Sequence, residues 1–359
     1  MTLRERSLIV TLILVLGLIA TTAGMSTTPP TAASEAATQT QSTLQTGSNQ
    51  KPAQGQQKPA QDPQKPAQDP RKPAQDQDEV LRLSSRLVVV PVSASDAAGR
   101  PVRDLSAGDF VIEEEGRPQR IVSLGEPGKT PIDIALAFDI SGSIHGRFAF
   151  EQQAAVRFIK EVLKPRDAVS IFSIGVTPRL VTPRTTSSDE AVSGLTSLSP
   201  AKEPTAFFDS LVEAAVYLGK NADGGSRRVV VVISDGEENH SKRYTLNESL
   251  RELQKNDCIF YSINPTGQAM ALNTISMKGQ AFMESMSLQT GGKAFVPERL
   301  EDLEAVFRQI ADELQAQYLF GYYSSDERAD GGFRRITVRA PTRSDLRVRA
   351  RQGYYAPKV

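Results

Sequence analysis

The stretch Asp139-Ile140-Ser141-Gly142-Ser143, inside LAFDISGSIHG at 136–146, sets one carboxylate and two hydroxyls on alternate residues. Gly142 lets the chain turn between the serines. A second acid, Asp235, closes another apolar run, VVVVISDG. Two aspartates and two serines offer hard oxygen donors and no soft ones. That set suits Mg2+, with Mn2+ or Ca2+ as alternatives, and disfavours zinc and copper. Hydroxyl donors are neutral, so a cation held this way stays electrophilic and attracts a carboxylate from outside. This is binding chemistry and needs no catalytic group. The competing reading of the pentapeptide is a turn whose Asp and Ser side chains bond the local backbone.

Other chemistries fit poorly. His145 lies two residues from Ser143, but no strand–Ser–helix elbow of the form GxSxG is present and the only other histidine is His240. The run EENH, Glu237 to His240, lacks the second histidine of a zinc-protease helix, and no Gly-Lys-Ser phosphate loop occurs. The chain therefore reads as a non-enzyme, with both histidines in loops near the ligand face.

Donors so far apart in sequence need a frame that brings them to one edge. From Pro131 the pattern alternates strand and helix. Strands are expected at 132–138, 168–174, 228–234 and 258–264, with a weaker one at 294–297. RRVVVVIS is apolar on both faces, as in a sheet covered by helices on each side. In FEQQAAVRFIKEVL and FFDSLVEAAVYL the apolar residues fall on one helical face, and further helices are expected at 246–254, 282–289 and 300–315. In such an open α/β layer the functional crevice lies beyond the carboxyl ends of the strands, where Asp139 and Asp235 stand.

Flanking this layer is β-type sequence. RLVVVPVSASDAAGRPVRDL reads as strand, glycine turn, strand, and DFVIEEEGRPQRIVSL as a hairpin around Gly116-Arg117-Pro118. After the last helix come YLFGYYSS, FRRITVRA and LRVRARQGYY. Each set is too small to stand alone, so residues 80–130 and 317–359 are expected to pair as two halves of a small β-sandwich with the α/β domain, 131–316, inserted between them. The last two strands are read as a hairpin presenting Arg335, Arg339, Arg347, Arg349 and Arg351 outward. That face is either a solvated edge or a dock for an anionic envelope polymer or lipid head group.

The remaining sequence concerns location. Residues 1–23 carry Arg4 and Arg6 ahead of an apolar stretch from Leu8 to Ala20, short for a membrane span and right for an export signal or N-terminal anchor. Residues 24–79 are rich in Pro, Gln, Ala, Ser, Thr and Lys, with KPAQ repeated every seven residues. Proline in each repeat and the lack of an apolar seam exclude a coiled coil. The repeats read as an extended spacer reaching roughly 90 Å at about 3.1 Å per residue. Across 359 residues, 42 basic side chains balance 42 acidic ones, so no global charge calls for nucleic acid. The single cysteine, Cys258, sits in an apolar run and reads as a buried thiol, which leaves an exported chain without an internal disulfide.

Asp139-Ile140-Ser141-Gly142-Ser143 resembles the Asp-x-Ser-x-Ser of the von Willebrand factor A domain and its metal-ion-dependent adhesion site. The resemblance implies a Rossmann-like, mostly parallel sheet with helices on both faces. It also implies a threonine ligand in a loop before a helix, matched by Thr205 in EPTAFFDSLVEAA, and an aspartate ending a later strand, matched by Asp235. Here Glu203-Pro204 stands where a Gly pair is common in the family. LQTGGKAFVP is similar to the family's late turn into its last strand. The likeness spans about 130–316, and the flanks resemble exported bacterial relatives common in acidobacteria. It implies metal ligation by Asp139, Ser141, Ser143, Thr205 and Asp235, with His145, Glu203 and Glu237 at the ligand rim. The expected partner is a protein presenting a carboxylate to the cation. The chain is expected to be a monomer outside its complex. The alternative is an envelope scaffold whose metal site is structural or vestigial. The segment 264–280 lies at the expected rim and is a candidate for setting specificity.

Overall fold

The computed structural model describes residues 87–142, 146–267 and 274–358. The expected signal and spacer, together with Ser143 and His145, lie outside the described residues. The described chain opens with β1 (Leu87–Ser95), then β2 (Val111–Glu114), β3 (Arg117–Gln119) and β4 (Ile121–Gly125). The α/β segment follows with β5 (Ile132–Asp139), α1 (Phe148–Val162), β6 (Ala168–Ile174), β7 (Arg179–Thr185) and α2 (Ser188–Thr196). It continues through α3 (Phe207–Asn221), β8 (Arg227–Ile233), α4 (Leu246–Lys255), β9 (Cys258–Ile263), α5 (Thr274–Thr290), β10 (Ala294–Phe295) and α6 (Leu303–Ala316). The last strands are β11 (Tyr318–Tyr323), β12 (Phe333–Arg339), β13 (Arg347–Ala350) and β14 (Gly353–Tyr355).

Six strands form the central sheet in the order β10-β9-β8-β5-β6-β7. All neighbours are parallel except β7, which runs antiparallel to β6. Every residue of β5, β6 and β9 is buried, which is why these runs lack polar alternation. Apolar residues of α1, α2 and α6 cover one face, meeting Ile134, Leu136, Phe138, Val229 and Val231. Residues of α3, α4 and α5 cover the other, against Ala135, Ala137, Phe172, Val230 and Val232. The expected mixed α/β layer, mostly parallel and helix-covered on both faces, is what forms. The order reverses at β5: the chain leaves it for β6 on one side and reaches β8 on the other. This switch point opens a crevice at the strand ends.

The β-type flanks form two four-stranded sheets, β13-β1-β11-β4 and β14-β12-β2-β3. Each mixes strands from before and after the layer: β1 and β4 both pair antiparallel with β11, and β2 pairs antiparallel with β12. One apolar cluster, including Val90, Val92, Phe110, Ile112, Tyr318, Phe320 and Ile336, draws on both sheets.

Four local readings are corrected. The hairpin turn falls at Glu115-Gly116, whose φ angles of 49° and 75° suit a tight primed turn, so Arg117 and Pro118 are already strand. After the Gly99 turn only an isolated bridge, Ser95 to Pro101, forms in place of a second strand. The helix expected at 282–289 begins earlier, at Thr274. The arginine hairpin is not formed, because β12 and β13 belong to different sheets. Its arginines are dispersed: Arg339 pairs with Glu113, Arg349 with Glu313 and Arg351 with Asp257.

Candidate metal centre

The end of β5 delivers Asp139, fully buried, into the crevice beside the end of β8. Its Oδ1 accepts the Ser141 N–H at 2.8 Å, and its Oδ2 accepts the Ser234 hydroxyl at 2.5 Å. The Ser234 hydroxyl also accepts the Gly236 N–H at 2.9 Å. One side chain at the end of β8 thus holds Asp139 and shapes the turn that carries Asp235. Asp235, 2% exposed, accepts the Glu237 N–H on Oδ1 at 3.1 Å.

Thr205, also buried, precedes α3. Its N–H donates to the Asn239 side-chain oxygen at 2.7 Å, and its carbonyl accepts from the N–H groups of Asn239 and His240. The Thr205 loop is thereby stitched to the loop after Asp235. Two more contacts tie the Thr205 loop to the strand ends: Ala201 N–H donates to the Ile140 carbonyl at 2.6 Å, and Ala206 N–H to the Gly175 carbonyl at 2.8 Å. A Cβ at Gly142 would stand 3.6 Å from the Lys202 Cα, so this loop lies directly against the Asp139–Gly142 turn. Ser141 is 3% exposed. Glu203 is exposed and Glu237 half-buried. The structure thus draws together the loops bearing Asp139, Ser141, Thr205 and Asp235.

Several residues that the sequence reading did not single out hold this arrangement. Glu238 accepts the Phe208 N–H at 2.9 Å, and the Ser241 hydroxyl accepts the Asp209 N–H at 3.2 Å, so the loop after β8 caps α3. Asp209 in return accepts the N–H groups of Lys242, Arg243 and Tyr244. Asn264, at the end of β9, donates to the Asp235 carbonyl at 3.5 Å. From α5, Gly279 presses on the same turn: a Cβ there would meet the Gly236 carbonyl oxygen at 2.5 Å. These partners lie roughly thirty or more residues apart in sequence, and no local pattern announces them.

The electrostatics are unusual. Burial, together with the neighbouring charge of Asp235, pushes the Asp139 carboxyl up to about 6 despite the hydrogen bonds from Ser234 and Ser141. Among the described residues neither carboxylate has an ion-pair partner. Two buried like charges side by side are unfavourable unless a cation stands between them, and a hard dication fits the donor set of carboxylates and hydroxyls. Among the described residues no three His, Cys, Asp or Glu side chains converge closely enough to hold an ion unaided, so hydroxyls must complete any shell.

The layer is open α/β, with hydroxyl and carboxylate donors gathered at its switch point. Residues 134–238 match the family model of the von Willebrand factor type A domain, and the chain carries a domain of that family. Partly similar solved structures include BatB from Bacteroides thetaiotaomicron, at 18% identity and TM-score 0.40, covering 51% of this chain and 98% of that one. An aerotolerance-related membrane protein from Bacteroides fragilis gives the same values. The PilB minor pilin from Streptococcus sanguinis, at 13% identity and TM-score 0.42, covers 56% of this chain and 64% of its own. No curated protein matches the sequence. Among the described residues no helix is long and apolar enough to cross a membrane.

Proposed function

We propose that this chain is a non-enzymatic, divalent-cation-dependent protein-binding module of an exported bacterial envelope protein. The observation that carries the reading is the buried pair Asp139 and Asp235, without a basic partner among the described residues, at the crevice of the sheet. Asp139, Ser141, Thr205 and Asp235 would hold the ion, joined by Ser143 as the sequence pattern implies. Mg2+ suits an all-oxygen set best, with Mn2+ or Ca2+ able to replace it. When bound, the ion supplies an electrophilic point that an acidic side chain of a partner completes. The protein's own contribution is to fix the donors before the partner arrives: the Ser234 bond to Asp139 and the Thr205–Asn239 stitch do this within buried surroundings.

The reading extends to the rest of the chain. Residues 1–23 serve as export signal or anchor, the KPAQ repeats as a spacer, and the two flanking sheets as a β-sandwich into which the domain is inserted. The mixed strand pairings, β1 and β4 with β11 and β2 with β12, support that arrangement.

The test is partner capture from envelope extract by the full-length protein, in Mg2+ and in EDTA, alongside Asp139→Ala. Capture lost in EDTA and in the variant, with a retained fold, supports the proposal. Capture that survives both transfers the contact to the β-sheets and makes the molecule a scaffold.

A further inference from the structure

One buried acid beside the crevice has no part in the site so far described. The first turn of α1 stands on the end of β5, where the Phe148 ring meets Phe138 edge-on at 5.3 Å between centroids. Phe148, Glu151, Ala154, Ala155 and Phe158 are all buried and share the sheet-facing side of the helix. Glu151 breaks that apolar stripe with a carboxylate that is 0% exposed. Its Oε1 accepts from Arg147 Nε at 3.3 Å, while its Oε2 has no hydrogen-bond partner among the described residues.

A buried polar oxygen left unpaired costs about 1–3 kcal/mol, more when charged. An apolar residue would avoid that cost, so the position calls for an occupant that Oε2 can serve. A polar path leads from Glu151 to the metal-site loops. Arg147 reaches the Thr266 hydroxyl at 3.5 Å, Thr266 N–H donates to the Asn264 side-chain oxygen at 3.0 Å, and Asn264 donates to the Asp235 carbonyl at 3.5 Å. Burial raises the Glu151 carboxyl to about 7; the charges of Asp139 and Asp235 push it the same way, against Arg147. It therefore lies within the field of both candidate ligands. Three carboxylates and one guanidinium leave two negative charges, which one dication neutralises.

We infer that Glu151 is a further determinant of the same cation site, its Oε2 accepting a hydrogen bond from a water on the ion. The inference rests on the cation reading above. No three acids converge as a ready metal site among the described residues, so Glu151 is assigned to the ion's water rather than to direct ligation. A water-mediated role favours an ion that keeps its waters. Mg2+ does so more than Ca2+, which takes more protein oxygens.

The experiment is calorimetric titration of the full-length protein with MgCl2 and, separately, CaCl2. The wild type is compared with Glu151→Gln, Glu151→Met and Asp139→Ala, with circular dichroism to verify folding. Gln keeps the shape and removes the buried charge, and Met fits the apolar stripe, so at least one of the two keeps the fold. The expected result is Mg2+ binding by the wild type, none by Asp139→Ala, and a loss of about tenfold or more in the Glu151 variants, smaller for Ca2+. Mg2+ affinity within twofold of wild type in a folded Glu151 variant, while Asp139→Ala has lost binding, overturns the inference and spares the site. Binding that Asp139→Ala leaves intact, or no binding by the wild type, overturns the cation reading and this inference together.

Discussion

Asparagine at position 139 replaces one of two buried like charges with a neutral group of the same shape. In the cation-free protein the Asp139 carboxyl is pushed up from 3.8 to about 6. Its ionisation therefore works against the fold: stability is full below about pH 4 and is lost as the pH rises through about 6. At about 1.4 kcal/mol for each tenfold, that rise makes the charged form cost roughly 3 kcal/mol at pH 8. The asparagine variant escapes this cost, and the hydrogen bonds from Ser141 and Ser234 are already counted in the net rise. In EDTA at pH 8 the variant should then be more stable than wild type by about 3 kcal/mol, or roughly 6–12 °C in Tm for a protein of this size. At pH 4 the advantage should vanish. Mg2+ at a thousand times its Kd should add about 4.1 kcal/mol to wild type and nothing to the variant, inverting the order. Thermal unfolding of the full-length proteins at both pH values, with and without Mg2+, measures all four states. An asparagine variant that is less stable than wild type in EDTA at pH 8, or a wild type indifferent to Mg2+, would refute the reasoning.

Three further outcomes follow from other parts of the molecule. Gly279→Ala places a methyl 2.5 Å from the Gly236 carbonyl oxygen and 2.8 Å from that of Asp235; it should cost about 1–3 kcal/mol by urea unfolding and weaken Mg2+ binding. Glu313→Ala leaves the Ser93 and Tyr261 hydroxyls and the Arg349 guanidinium without their shared buried acceptor; a loss of about 3–5 kcal/mol is expected, against a smaller one for Glu313→Gln. Burial pushes the Cys258 thiol well above its ordinary range; the folded protein should not react with an aromatic disulfide reagent, and one thiol should appear on unfolding.

The layer was legible where burial is complete. The runs at 134–138 and 229–233 are apolar throughout because helices cover both faces, and Asp139 and Asp235 stand just beyond their ends. The segment 179–196 was not read as structure, although it forms β7 and α2. β7 is an edge strand with Pro183 inside it, and three of its seven residues are half-buried and three exposed, so it carries neither a continuous apolar run nor clean alternation. Alternation marked β12 and β13 as strands but could not choose their partners, since residues 340–346 are long enough to pass between sheets. Glu151 was hidden for another reason: helical periodicity singles out apolar positions, and a buried acid among them looks like a lapse in the pattern. Glu238 and Asp209 were invisible because their partners lie 30 to 35 residues away.

The central claim is that one divalent ion sits among Asp139, Ser141, Thr205 and Asp235. Crystals grown or soaked in MnCl2 and measured for anomalous scattering test it most directly. The account predicts one strong peak in the crevice at the ends of β5 and β8, with the Ser141 and Thr205 hydroxyls at about 2.0–2.6 Å and the aspartates bound directly or through one water. A crevice without anomalous density at saturating Mn2+, or a peak elsewhere with these four side chains turned away from it, would contradict it.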